Sequence, residues 1–344
     1  MKKTSEDRLI GPDIIRVVAC FLVILVHVSA IGFTNFSDFW KICIAYDSIA
    51  RMCVPLFFML SGYFLLNAKI MPVGTFYKKR LLKLLLPFII TLAIYFSYKD
   101  WSSYEFFYRL VSQNVDFHLW FVYTLIGIYL FVPVVQNLFL YREGRDVVKI
   151  YIIVWFLFEI LYNTVHSYFG FSFNIAKSVD LHYFFGFLGY VFVGALLREL
   201  RTTYFFKLFF AILCGVSTVC IYALTVEYSY FLNSPSQLFF DYLSIFVFFQ
   251  AVSFFIAIKD INANVFGLSY IAKHTYWIYL IHVMVMGRFF YFTKLEVSDN
   301  ALIVVPVATV SIFIASFLIS IPLLKLENEI TKMLMKIKRK QSFL

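Results

Sequence analysis

The stretch RLIGPDIIRVVACFLVILVHVSAIGF, residues 8–33, decides how the rest of the chain is read. From about residue 14 it is an apolar run long enough for one ~20-residue helix across a bilayer. Asp13 and Arg16 open that helix, and His27 lies deep inside it. At about 1.5 Å of rise per residue, Arg16 and His27 stand ~16 Å apart along the axis. With Arg16 near one membrane face, His27 falls at or just beyond the middle of a ~30 Å hydrocarbon core. An ionisable side chain at that depth is costly to bury and reads by default as functional. Histidine is also the side chain suited to moving a proton near neutral pH.

The same kind of apolar run recurs to the end of the chain. The 344 residues are 62% hydrophobic and 15% charged, with a mean hydropathy of +0.83; a soluble domain carries roughly 25% charge. Runs of spanning length fall at roughly 14–33, 49–67, 82–98, 118–138, 148–165, 182–198, 205–226, 238–258, 270–292 and 301–323. The fold class is therefore all-α, a polytopic integral membrane protein with about ten transmembrane helices. No linker, low-complexity tract or second globular unit interrupts it, so residues 1–344 form a single membrane-embedded domain. A basic tail from about residue 325 reads as a short amphipathic helix on the inner surface or as a topology anchor. The first run reads as a span rather than a cleavable signal, because no small-residue cleavage site follows it.

The net charge of +10 does not point to nucleic acid, because the basic residues sit in short segments between spans. With the N-terminus inside, one side collects Lys78, Lys79, Arg80 and Lys83, then Arg142, Arg145 and Lys149, then Arg198, Arg201 and Lys207, and the tail lysines. That asymmetry puts both termini in the cytoplasm. The longest pieces expected on the other side are 34–48, 99–117 and 227–237. The five cysteines (Cys20, Cys43, Cys53, Cys214, Cys220) show no metal-ligand spacing and read as packing residues. No metal site is expected.

Four further stretches carry candidate chemistry. RMCVPLFFMLSGYFL, residues 51–65, opens with Arg51 and carries Pro55 and Ser61-Gly62, small residues that allow close helix approach. FYKKRLLKLLLPF, residues 76–88, holds Lys78, Lys79, Arg80 and Lys83 at a helix start. This cluster is either topology-setting charge or a seat for phosphates. FHLWFVYTLIGIYLFVPV, residues 117–134, sets His118 and Trp120 at the outer edge of a span, as interfacial anchors or as part of a site. TYWIYLIHVMVM, residues 275–286, places Tyr279 and His282 inside the ninth span, as structural hydrogen-bonders or site residues. Glu159, His166 and His182 are further polar groups near or in spans. There is no phosphate-binding P-loop, no H-E-x-x-H, no G-x-S-x-G and no dinucleotide fingerprint.

In this order, these pieces resemble the acyltransferase-3 family of membrane acyltransferases. The resemblance rests on Asp13 with Arg16 and His27, on Phe57 to Gly62, and on Lys78 to Arg80 running to Leu86-Pro87. It also rests on His118 to Phe121 and on Ile278 to His282. Within the family the chain is most similar to the stand-alone branch that includes the enterobacterial common antigen O-acetyltransferase. Lys78 departs from it, standing where the family often has an arginine.

The resemblance implies transfer of an acyl group, usually acetyl, from cytoplasmic acetyl-CoA or another acyl-CoA to a sugar hydroxyl of a lipid-linked or surface glycan. It implies no bound cofactor and a multi-pass location in the bacterial cytoplasmic membrane, with lipid and polysaccharide-biosynthesis proteins as candidate partners. His27 would be the general base or an acyl carrier, and Arg16, steered by Asp13, would hold the donor. Arg51, Ser61, Lys78, Arg80, His118, Trp120, Tyr279 and His282 would bind substrate. Succinyl transfer to an exopolysaccharide, a transporter or flippase of lipid-linked sugars, and a non-catalytic export partner are the alternatives.

Overall fold

A computed structural model describes residues 10–33, 36–68, 70–99, 101–170, 186–263 and 265–341, with side chains to residue 334. Every regular element among them is helical. Eight helices are long and apolar enough to cross a membrane, so the chain is an all-α multi-pass membrane protein. We label the helices α1 (Gly11–Ser29), α2 (Trp40–Ala50), α3 (Cys53–Leu65), α4 (Val73–Tyr98), α5 (Ser103–Ser112) and α6 (Trp120–Gln136). They continue as α7 (Arg142–Phe169), α8 (Leu188–Leu197), α9 (Tyr204–Phe231), α10 (Ile245–Ile258), α11 (Leu268–Thr293) and α12 (Ala301–Gln341).

The first helix is the hub. It packs on α2, α3, α10, α11 and α12, and Ile15, Ala19, Cys20 and Leu22 to Val26 are all buried. By contrast only 17% of the spanning window of α7 and 22% of that of α9 is buried, so these helices present apolar surface outward. Beside the hub, α3 and α8 meet backbone to backbone. A side chain at Gly62 would overlap the Val191 carbonyl, and one at Gly194 would overlap that of Met59. The Ser61-Gly62 pair thus includes one packing residue, as small residues at membrane helix contacts generally are.

Several expected boundaries move. The span expected from residue 49 starts at Trp40, and much of the outer loop expected at 34–48 is helix. Its buried residues Trp40, Cys43, Ile44, Asp47 and Ser48 recur at helical spacing. The helix breaks at Arg51-Met52 and resumes as α3, where Pro55 sits in the first turn and costs no intrahelical hydrogen bond. The segment expected as loop at 99–117 contains α5. Ser102 and Glu105 close a capping box at its start, a signal present in the sequence as S-x-x-E. α9 runs on to Phe231, into the loop expected at 227–237.

The expected span at 182–198 is described only as the ten-residue α8; its upstream part, with His182, lies outside the described residues. α11 has 26 residues but falls short of the other spans in apolarity. Ala272, His274, Thr275 and Trp277 to His282 are buried, so protein rather than lipid surrounds its polar groups. The last span and the tail are one helix of 41 residues, tied to α11 where Trp277 Nε1 donates to Glu327 Oε2 at 2.8 Å.

Candidate active site

Three histidines converge on one point beside the hub. His27 comes from α1, His118 from the single 3-10 turn Phe117–Leu119 before α6, and His282 from α11. The rings of His27 and His282 stack 5.2 Å apart at 25°. Those of His118 and His282 meet edge-on at 5.1 Å, and His27 and His118 are 6.4 Å apart. His118 and His282 are fully buried, and His27 is partly accessible.

The hydrogen bonds give the three rings different roles. His282 Nδ1 donates to the Tyr279 carbonyl at 2.6 Å, since a carbonyl only accepts. Its buried Nε2 has no hydrogen-bond partner among the described residues. His118 Nε2 donates to the Leu280 carbonyl at 3.4 Å, and its Nδ1 lies 3.7 Å from Asp116 Oδ1. Asp116 is itself held by Lys99 at 3.5 Å and by the Phe117 amide at 2.8 Å. The Tyr279 hydroxyl donates to the His118 carbonyl, tying α11 to the turn. His27 takes part in no hydrogen bond among the described residues. Its nitrogens are therefore available to a ligand.

His27 and His118 face a chamber of about 20 Å³ walled by Val23, Val26, Cys53, Val54, Trp120, Phe121, Tyr242 and Tyr279. That volume holds about one water. Trp120 stacks at 6.1 Å on Tyr242, and its indole N–H has no hydrogen-bond partner among the described residues. Among the described residues no Lys or Arg lines the chamber. Arg51 stands behind the wall, its Nη2 2.5 Å from Asp47 Oδ2 and its guanidinium 4.3 Å over Phe240 and 5.7 Å from Tyr242. It is a buried ion pair that backs a wall residue, not a lining residue.

Toward the start of α1 the same helix reaches a second cavity, of about 440 Å³. Arg16, Arg80 and Lys83 line it, with Ser61, Tyr129 and Tyr276 among the hydroxyl-bearing residues. Arg16 Nη1 lies 3.5 Å from Asp13 Oδ1, and its guanidinium sits 5.2 Å over Phe64. Asp13 is fixed in turn by Ser269, which donates at 2.7 Å. Asp13 therefore orients Arg16 from behind. The stretch Tyr77–Leu81 is a wide π-turn inside α4, a feature that often marks functional sites. Arg80 at its end and Lys83 one turn on both reach the cavity, whereas Lys78 is exposed and is not among the lining residues.

Phe121 and Tyr279 line both cavities. They form the wall between the cationic space and the histidine chamber. Of the residues singled out in the sequence, Arg16, Ser61, Arg80 and Tyr279 meet in the cationic cavity. His27, His118, Trp120 and Tyr279 meet in the chamber, with His282 against it. Lys83, part of the basic cluster read as a candidate phosphate seat, joins Arg16 and Arg80 in the cationic cavity; Tyr129, Tyr276 and the Asp116–Lys99 pair were not singled out. Lys83 had a signal, one turn from Arg80 in the same basic run; Tyr129 and Tyr276 sit in apolar runs that give none. Among the described residues no group of three or more His, Cys, Asp or Glu side chains is placed to hold a metal ion.

A family model described as an acyltransferase domain matches residues 9–325. No curated protein and no solved structure matches the chain.

Proposed function

From the chain's membership of the acyltransferase-3 family, to which it belongs over nearly its whole length, we propose that it moves an acetyl group from acetyl-CoA to a sugar hydroxyl. The acceptor would be a lipid-linked or surface glycan at a bacterial cytoplasmic membrane, with both termini and the Arg16 end facing the cytoplasm. One observation carries the proposal: a cation-lined cavity and a histidine chamber share one wall and hang on one helix, Arg16 at one level and His27 at the other.

Arg16, Arg80 and Lys83 suit the phosphates of a polyanionic donor, and Arg16 offers a planar fork for them. The acyl end then passes Phe121 and Tyr279 to reach His27. There the acceptor oxygen attacks the thioester carbonyl while His27 takes its proton. The tetrahedral intermediate collapses, the C–S bond breaks, and His27 returns the proton to the departing thiolate of the coenzyme. The unpartnered indole N–H of Trp120 is the donor for the oxyanion. Acetyl is favoured over succinyl because a second carboxylate would enter a chamber with no Lys or Arg among the described residues of its wall, and an unpaired buried charge is costly.

The test is transfer of radiolabelled acetyl from acetyl-CoA into the glycan fraction of membranes carrying wild-type protein or His27→Ala, with equal expression verified. Label in the wild type and its loss in the variant is the expected result. Equal label in both removes His27 from the chemistry. No label in either, with label from succinyl-CoA instead, overturns the acetyl assignment.

A further inference from the structure

A third cavity, of about 400 Å³, lies at the opposite end of α1 from Arg16, where no role has yet been assigned. Ile31 lines it, four residues beyond His27, hence about one turn and ~6 Å further along the same face. Phe290 lines it from α11, eight residues beyond His282 and ~12 Å further out. Two of the three histidine-bearing helices thus continue into this one space. Its remaining wall comes from the chain before and within α2 and from the loop that follows α11.

The lining is the reverse of the cationic cavity. Phe39 and Phe290 supply aromatic surface, Ser37 and Ser298 supply hydroxyls, and Glu296 supplies a carboxylate, with no Lys or Arg among them. Ser298 Oγ donates to Glu296 Oε2 at 3.0 Å and the Glu296 amide donates to Asp299 Oδ2 at 3.0 Å, which holds the carboxylate in the loop. Aromatic faces against C–H surface, with a carboxylate and hydroxyls to pair with O–H groups, suit an uncharged polyhydroxylated ring. The carboxylate disfavours a phosphate or an anionic headgroup.

We propose that this outer cavity seats the acceptor sugar, with Glu296 binding ring hydroxyls and Phe39 and Phe290 packing on the ring, so that one hydroxyl of a neutral glycosyl unit points down α1 toward His27. The proposal rests on the acyl-transfer function above. Acceptor and donor then approach His27 from opposite ends of the first helix. Neither has to pass the other.

The test uses the full chain in membranes, with radiolabelled acetyl-CoA and a titrated glycan extract of the producing cells as acceptor. For Glu296→Gln and for Phe39→Leu, the apparent KM for the extract should rise at least five-fold, while the KM for acetyl-CoA stays within two-fold. An unchanged acceptor KM in both variants overturns the site, and so does an equal rise in donor KM. A lower acceptor KM in Glu296→Gln overturns the neutral-sugar assignment, because an anionic acceptor gains when the carboxylate is neutralised. A wild type that transfers no label from acetyl-CoA or from succinyl-CoA sinks acyl transfer itself, a result separate from any of these.

Discussion

The two ends of the space beside α1 are built by opposite rules. At the Arg16 end, charge is kept where solvent reaches it and is aimed by a buried carboxylate: Asp13 is 1% exposed, and Arg16 reaches out from it into a roomy cavity. At the His27 end no Asp, Glu, Lys or Arg lies on the wall among the described residues; aromatic and valine side chains close down to about 20 Å³. An open cationic cavity recognises a ligand by its phosphates, whatever hangs from them. A closed, weakly polar chamber strengthens each hydrogen bond made inside it and excludes competing water. Under the proposed function, recognition and chemistry would be divided along one helix, with Phe121 and Tyr279 at the border.

The division is broken most directly at His27. His27→Ala should lower acetyl transfer by roughly 10²–10⁴-fold, the usual worth of a positioned base, with the dissociation constant for acetyl-CoA changed less than about two-fold. Equilibrium dialysis beside the transfer assay checks both, and a collapse of donor binding would mean that the two regions are not separate. Arg16→Ala should act the other way. Losing a charged contact worth about 1.5–3 kcal/mol should raise the donor KM roughly 10- to 100-fold with kcat little altered. Arg16→Lys should recover part of that, since it keeps the charge but not the fork.

A smaller effect is expected at the border. Tyr279→Phe removes the hydroxyl that holds the His118 carbonyl, a neutral hydrogen bond worth about 1 kcal/mol. A several-fold fall in kcat at constant donor KM is expected from steady-state kinetics. The smallest change should come from Lys78→Ala, less than about two-fold in donor KM, because an exposed cation outside the cavity is screened by water and salt. A loss as large as that of Arg80→Ala would show that the phosphates lie outside the cavity described here.

Much of this was legible in the sequence, for reasons that particular residues make plain. The depth of His27 below Arg16 follows from helical rise alone. The basic cluster at 78–83 was legible as charge, but which of its members face the cavity depends on the π-turn and on the orientation of α4. His118 read as an interfacial anchor or as part of a site, because it precedes an apolar run beside Trp120, and the sequence alone did not decide its burial. The fold tucks it in, since the 3-10 turn at Phe117–Leu119 carries it under the α11 backbone. Arg51 looked like a ligand-binding cation at a helix start. Its partner Asp47 lay in a segment taken for loop, so the i,i+4 pair at the end of α2 was not visible.

By itself, the sequence determined what hydropathy and rise can determine: an all-helical membrane protein, a first span with Arg16 and His27 at two depths, and a basic rim beside the third span. These are local properties, set by side-chain transfer free energy and helix geometry within one segment. Only the tertiary structure decided that His118 and His282 join His27, that Arg80 and Lys83 rather than Lys78 join Arg16, and that Phe121 and Tyr279 stand between the two groups. Those contacts link helices far apart in the chain. They depend on which face each helix turns to its neighbours, a choice that the close backbone approaches of Gly62 on Val191 and Gly194 on Met59 illustrate for α3 and α8.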